Sequence, residues 1–127
     1  MTQGIQLFRL NIEVGDLASA RHFYETLFDA KVDSRPGNRF YLDAGGMTLQ
    51  VVGVSSPHIA AKALYFATAG LDAVHARAVA LNCLSDETVH GLKAGDISVK
   101  PWGERSFYVS DPWGNPLCFV EAGTEYR

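Results

Sequence analysis

An internal repeat constrains this chain more than any other feature. Leu17 and Leu71 each open an amphipathic stretch, 54 positions apart, and Phe40-Tyr41-Leu42 recurs as Phe107-Tyr108-Val109 after 67 positions. Gln50 matches Cys118 at 68 positions, because the second hairpin turn is one residue longer. A repeat of this length means a stacked or pseudo-symmetric architecture, since one unit alone leaves open sheet edges. The expected fold is α+β: two tandem βαβββ modules, about 5–54 and 60–122, in a single domain spanning 1–127. The pair is expected to form a curved, mostly antiparallel eight-stranded sheet around a cleft, with helices on its outer face.

Hydrophobic periods assign the elements. Residues 7–14 alternate, with Phe8, Leu10, Ile12 and Val14 on one face and Arg9, Asn11 and Glu13 on the other, which is a half-buried strand. Gly15 breaks it and Asp16 can cap a helix whose stripe is Leu17, Ala20, Tyr24, Leu27 and Phe28. Residues 30–33 read as a short strand and 34–38 as a turn; 39–43 and 47–53 are strands joined across Ala44-Gly45-Gly46. In the second module, 63–67 is a strand, and Gly70 leads into a helix with Leu71, Val74, His75 and Ala78 along one side. Residues 82–95 are polar and loop-like, and 97–102, 105–110 and 115–121 are strands, the last two linked by Asp111-Pro112-Trp113-Gly114.

Composition removes several classes of function. Hydrophobic residues are 47% and charged residues 20% of the 127, which excludes extended disorder and collagen-like repetition. No apolar run approaches the roughly 20 residues of a membrane span. The net charge of -3 is spread over interspersed residues of both signs, which argues against nucleic-acid and anionic-membrane partners. Cys83 and Cys118 are too few for a disulfide framework or a four-cysteine zinc site. With Met1-Thr-Gln-Gly read as lacking a secretory signal, a cytoplasmic location with reduced thiols is expected.

Pairing Asp111 with Asn115 sets the last hairpin's register. Phe107 then faces Phe119 and Val109 faces Leu117 on a core side, while Tyr108 faces Cys118 and Ser110 faces Pro116 on an open side. The same logic puts Tyr41 beside Gln50 on the open side of the first module. There it joins Arg9, Asn11 and Glu13, and the second module contributes Ala63, Tyr65 and Ala67. This polar and aromatic face is either the solvated side of an antiparallel sheet or, with two half-sheets curling together, a pocket wall. The candidate ligand-binding residues are Arg9, Asn11, Arg39, Tyr41, Gln50, Tyr65, Trp102, Tyr108 and Cys118. Tyr41, Tyr65, Trp102 and Tyr108 could stack on a flat or aromatic ligand, and Arg9 and Arg39 could meet an anionic group on it. Trp102 follows Ser98 and Lys100 in alternation, toward the cavity or into packing. Trp113 caps the core or a dimer contact.

The segments VGDLASARHFYETLF (14–28) and WGERSFYVSDPWGNPLCFVE (102–121), within the βαβββ duplication, resemble the vicinal oxygen chelate superfamily: glyoxalase I, bleomycin-resistance proteins and extradiol dioxygenases. The likeness is nearest the bleomycin-resistance branch. The resemblance implies four metal-ligand positions, carried here by Arg9, Gln50, Ala63 and Cys118. Ala63 has no donor atom and Arg9 is a fixed cation, so no metal and no cofactor are expected. Dimers are common in that branch, so a homodimer is also implied.

Other chemistry is sparse. Glu13 with Arg9 is a cavity acid–base pair or a simple ion pair, and Glu13 and Tyr108 are the only candidates for proton transfer. His22, His58, His75 and His90 show no ligand spacing, and Cys118 has no evident base beside it in sequence. The leading expectation is a metal-independent protein that binds and sequesters a small molecule, of the resistance type. The alternatives are a lyase, isomerase or dioxygenase with a non-standard or absent metal site, and a non-catalytic scaffold or regulatory subunit.

Overall fold

Gly15 and Asp16 turn the chain from its first strand into its first helix, and the whole architecture follows from repeating that unit. The computed structural model describes residues 4–127; the reading of the first residues as lacking a signal falls largely on 1–3, outside the described residues. Strand β1 (Arg9–Val14) ends where Asp16 accepts a hydrogen bond from Ser19 N at 3.1 Å, capping α1 (Leu17–Phe28). Asp29 stops α1 in the left-handed region, φ 50°, with its N–H returned to the Glu25 and Thr26 carbonyls. Then come β2 (Asp33–Ser34), β3 (Arg39–Asp43) and β4 (Thr48–Gly53), pairing in the order β1-β4-β3-β2.

The second module repeats the plan: β5 (Leu64–Thr68), α2 (Leu71–Ala80), a ribbon of β6 (Thr88–Val89) and β7 (Leu92–Lys93), then β8 (Ser98–Val99), β9 (Arg105–Ser110) and β10 (Pro116–Glu121). Its order is β5-β10-β9-β8. In both modules the first strand runs parallel to the last and the remaining pairs are antiparallel. The hairpin registers are those the turns require, Tyr41 opposite Gln50 and Tyr108 opposite Cys118.

Several expectations need correction. The strands form two separate four-stranded sheets and a two-stranded ribbon, not one eight-stranded sheet, because no backbone pairing joins β1 to β5 among the described residues. The polar stretch 82–95 carries that ribbon, turned by His90 and Gly91 at positive φ. The strand expected over 97–102 stops at Val99. Pro101 lacks an amide donor, and Gly103 (φ 96°) closes a tight turn by donating to the Lys100 carbonyl at 2.8 Å. The strand at 30–33 begins only at Asp33, and Phe8, assigned to the core face, precedes β1 and is 60% exposed.

Both helices pack on the apolar sheet faces and against each other, giving one core across the modules. Phe28 of α1 reaches into the second module, edge-on to Phe66 at 5.0 Å and Phe119 at 5.4 Å between ring centroids. The helix stripe is broader than its sequence pattern, because Phe23 is buried beside Ala20, Tyr24 and Leu27. Beneath the core, Asp111 joins the modules. Its carboxylate accepts from Tyr24 Oη at 2.7 Å, Trp113 N at 3.0 Å, Asn115 N at 2.8 Å and Asn115 Nδ2 at 2.9 Å. Asn115 also donates to the Glu13 carbonyl, and its Oδ1 accepts from Ala60 N. Trp113 packs on this core and over Gly15, where a Cβ would lie 2.8 Å from its Nε1.

Candidate functional site

Alternation along β1, β3 and β4 leaves Arg9, Asn11, Tyr41 and Gln50 on the face away from the helices. They form a chain: Arg9 Nη1 donates to Gln50 Oε1 at 3.3 Å, and Gln50 Nε2 donates to Asn11 Oδ1 at 2.7 Å. The Arg9 guanidinium lies over the Phe8 ring at 5.0 Å and the Tyr41 ring at 5.8 Å. Arg39 stands apart and bonds the neighbouring Asn38 side chain. Glu13 does not pair with Arg9. Its carboxylate takes the His58 backbone N–H at 2.8 Å and lies 3.3 Å from His58 Nδ1, which holds its pKa below the usual carboxylate value.

The second sheet has a richer open face. Tyr65 and Tyr108 hydroxyls meet at 3.1 Å, with their rings edge to face. Burial, then the bond to Tyr65, raises the Tyr108 pKa far above a free phenol, which leaves it a poor proton donor. Cys118 is fully buried and burial pushes its thiol up to about 11, so it is a weak nucleophile at neutral pH. Two buried charged residues stand here that were not among the candidate residues. Lys100 is 3% exposed, donates to Ser98 Oγ at 2.9 Å and the Ser106 carbonyl at 3.0 Å, and is shifted down by burial. Glu104 is also buried; it accepts from Trp102 Nε1 at 2.7 Å and from Tyr126 N at 2.8 Å. A buried lysine has no signature in a single sequence, but Trp102-Gly-Glu104 has a visible one, a donor ring two residues from a carboxylate.

These contacts shape a cleft of about 610 Å³, within the range of small-molecule sites. Tyr65, Trp102 and Tyr126 supply aromatic wall, and Glu104 fixes both Trp102 and the C-terminal segment. The candidate residues therefore fall into two groups. Arg9, Asn11, Tyr41 and Gln50 share the first sheet, and Tyr65, Tyr108 and Cys118 share the second, with Trp102 at its cleft. No hydrogen bond or ion pair joins side chains of one open face to the other among the described residues.

The four metal-ligand positions do not suit a divalent ion. Arg9 and Gln50 are bonded to each other, Ala63 has no donor atom, and the Cys118 thiol is held protonated. Among the described residues no three His, Cys, Asp or Glu side chains are grouped to hold a metal.

No protein-family model matches the sequence, and no curated protein does. Solved structures do match. The bleomycin resistance determinant encoded on transposon Tn5 has 15% identity and a TM-score of 0.73, covering 94% of this chain and 99% of that one. A bleomycin-binding protein complexed with bleomycin has 16% identity, TM-score 0.68 and coverage of 92% and 98%. Lactoylglutathione lyase from Agrobacterium tumefaciens has 21% identity, TM-score 0.65 and coverage of 95% and 96%. Each likeness spans both modules, so the chain has the glyoxalase/bleomycin-resistance fold.

Proposed function

We propose that this protein binds a small, flat organic molecule without a metal ion and sequesters it. The observation that carries the reading is the aromatic cleft of the second sheet, where Tyr65, Trp102 and Tyr126 surround about 610 Å³. A cleft of this kind gains affinity from apolar burial and stacking, and needs only a few fixed polar groups for orientation. Glu104 supplies such a group, held rigid by its two donors. The resistance determinant and the bleomycin-binding protein of the same fold favour binding over catalysis. In this reading the working unit is a homodimer, since a second copy can set the Arg9–Gln50 face opposite a Tyr65–Tyr108 face. The two free, buried cysteines suit a reducing cytoplasm.

Native mass spectrometry after soaking with zinc, iron, manganese and nickel is expected to return the metal-free mass. Light scattering is expected to give twice the mass of one chain. Flat aromatic compounds should quench Trp102 emission saturably, and Trp102→Ala should weaken their binding about tenfold. One tightly held ion per chain would move the protein to the enzyme class. Neither an ion nor saturable quenching would leave the scaffold reading.

A further inference from the structure

A second pocket lies between the modules, reached around β5, whose Tyr65, Phe66 and Ala67 it shares with the aromatic cleft, but without Trp102 or Glu104. It encloses about 440 Å³, large enough for a small ligand. Its apolar wall comes from Phe28 at the end of α1, Phe66 on β5, Phe119 on β10, Val74 on α2 and Met47 beside the β3–β4 turn. Its one basic lining residue is Arg77, in the last turn of α2.

Arg77 is half-buried, and only part of its donor capacity is used. Its Nε donates to the Leu27 carbonyl at 3.0 Å, which caps the end of α1. Its terminal nitrogens make no hydrogen bond, and it enters no ion pair, among the described residues. Those terminal nitrogens reach solvent through the pocket, free of a protein carboxylate, and their planar fork matches a carboxylate's two oxygens. The nearby turn does not offer that partner, because the Asp43 carboxylate is taken up by its own loop, accepting from Gly45 N at 3.1 Å.

We infer that this pocket binds a small arylalkyl carboxylate, with its ring against the wall made by Phe28 and Phe66 and its carboxylate on the terminal nitrogens of Arg77. Aromatic walls favour an aryl body through edge-to-face contacts, and the lone guanidinium requires the anionic head. The site shares Tyr65, Phe66 and Ala67 of β5 with the aromatic cleft, and Arg77 and Trp102 mark the two different ends.

Isothermal titration with 4-phenylbutyrate and its uncharged analogue 4-phenylbutan-1-ol tests this. The acid is expected to bind one per chain, about tenfold more tightly than the alcohol. Arg77→Met should erase that preference, leaving the two probes equal. Because Arg77→Met also removes the bond to Leu27, Ala44→Trp provides a second variant that fills the pocket from the turn. It should abolish binding of both probes while thermal unfolding stays cooperative. Trp102→Ala should leave binding of the acid unchanged. The inference is overturned if the acid shows no saturable binding or if Arg77→Met keeps the preference. It is also overturned if Ala44→Trp still binds, or if Trp102→Ala abolishes binding, which would put the probe in the aromatic cleft.

Discussion

Asp111→Ala is expected to lower the unfolding free energy by about 4 kcal/mol. One buried carboxylate serves four donors: Tyr24 Oη, Trp113 N, Asn115 N and Asn115 Nδ2. Alanine leaves all four without an acceptor where Asp111 and Asn115 are almost wholly excluded from water, at 4% and 0% exposure. Each orphaned buried donor carries a penalty of about 1–3 kcal/mol, partly relieved where water can enter. The damage reaches both modules, because Tyr24 belongs to α1 and Asn115 holds the Glu13 carbonyl and Ala60 N. Tyr24→Phe removes one donor along with its need, so it should lose only about 1 kcal/mol. Urea unfolding of the three proteins checks this; a loss below about 1 kcal/mol for Asp111→Ala would contradict the assigned role.

Alkali is expected to destabilise the protein between pH 9 and pH 11. Burial pushes Cys83 and Cys118 from the ordinary thiol value of 9.0 to about 11. Below pH 9 both folded and unfolded chains keep these protons, so the full stability is present. From pH 9 to 11 the unfolded chain loses them first, the folded chain binds more protons, and stability falls as pH rises. The displacement is worth about 5 kcal/mol for the two thiols together, with about half expressed by pH 10. Lys100 opposes the trend, since burial lowers its pKa and the cost of holding that ammonium in the folded state is relieved toward pH 10.5. Urea unfolding at pH 8 and pH 10 measures the slope. The double variant Cys83→Ala/Cys118→Ala should make it shallower, leaving the smaller fall that buried Tyr24 and Tyr108 contribute in the same direction. An unchanged slope would mean that the thiols ionise normally in the folded chain.

Much of the fold is local enough to be read from one sequence. The boundaries of α1 follow from Asp16 and from a run that ends at a left-handed Asp29, and the residue pairing of both hairpins follows from Gly-rich or Asp-Pro turns. Alternation divided core from open face correctly in β1, β9 and β10, since a period of two leaves no other choice once one side is apolar. It failed at Phe8, which lies before the first ladder pair; past Val99 the Pro101–Gly103 turn ends the expected strand, yet Trp102 still lines the cleft.

The candidate site divides along the same line. Sequence alone put Tyr65 and Tyr108 on one open face and Arg9, Asn11, Tyr41 and Gln50 on the other. It paired Glu13 with Arg9, whereas the fold gives Glu13 to His58, because residues 45 apart meet only where a loop returns across a strand end. It put Lys100 on the side of Tyr108, over whose ring its ammonium lies at 5.9 Å, but gave no sign that Lys100 is buried.

What the sequence by itself determined is the repeated module, its helices, its hairpin registers and the side of each strand that meets the core. These depend on contacts between near neighbours and on a two-residue or 3.6-residue period. Tertiary structure alone decided that the strands stay in two sheets, that Asp111 and Asn115 join the modules, and that Glu104 and Arg77 stand at two pockets. Those outcomes depend on which side chains exclude water together across long chain separations, and no local period encodes that.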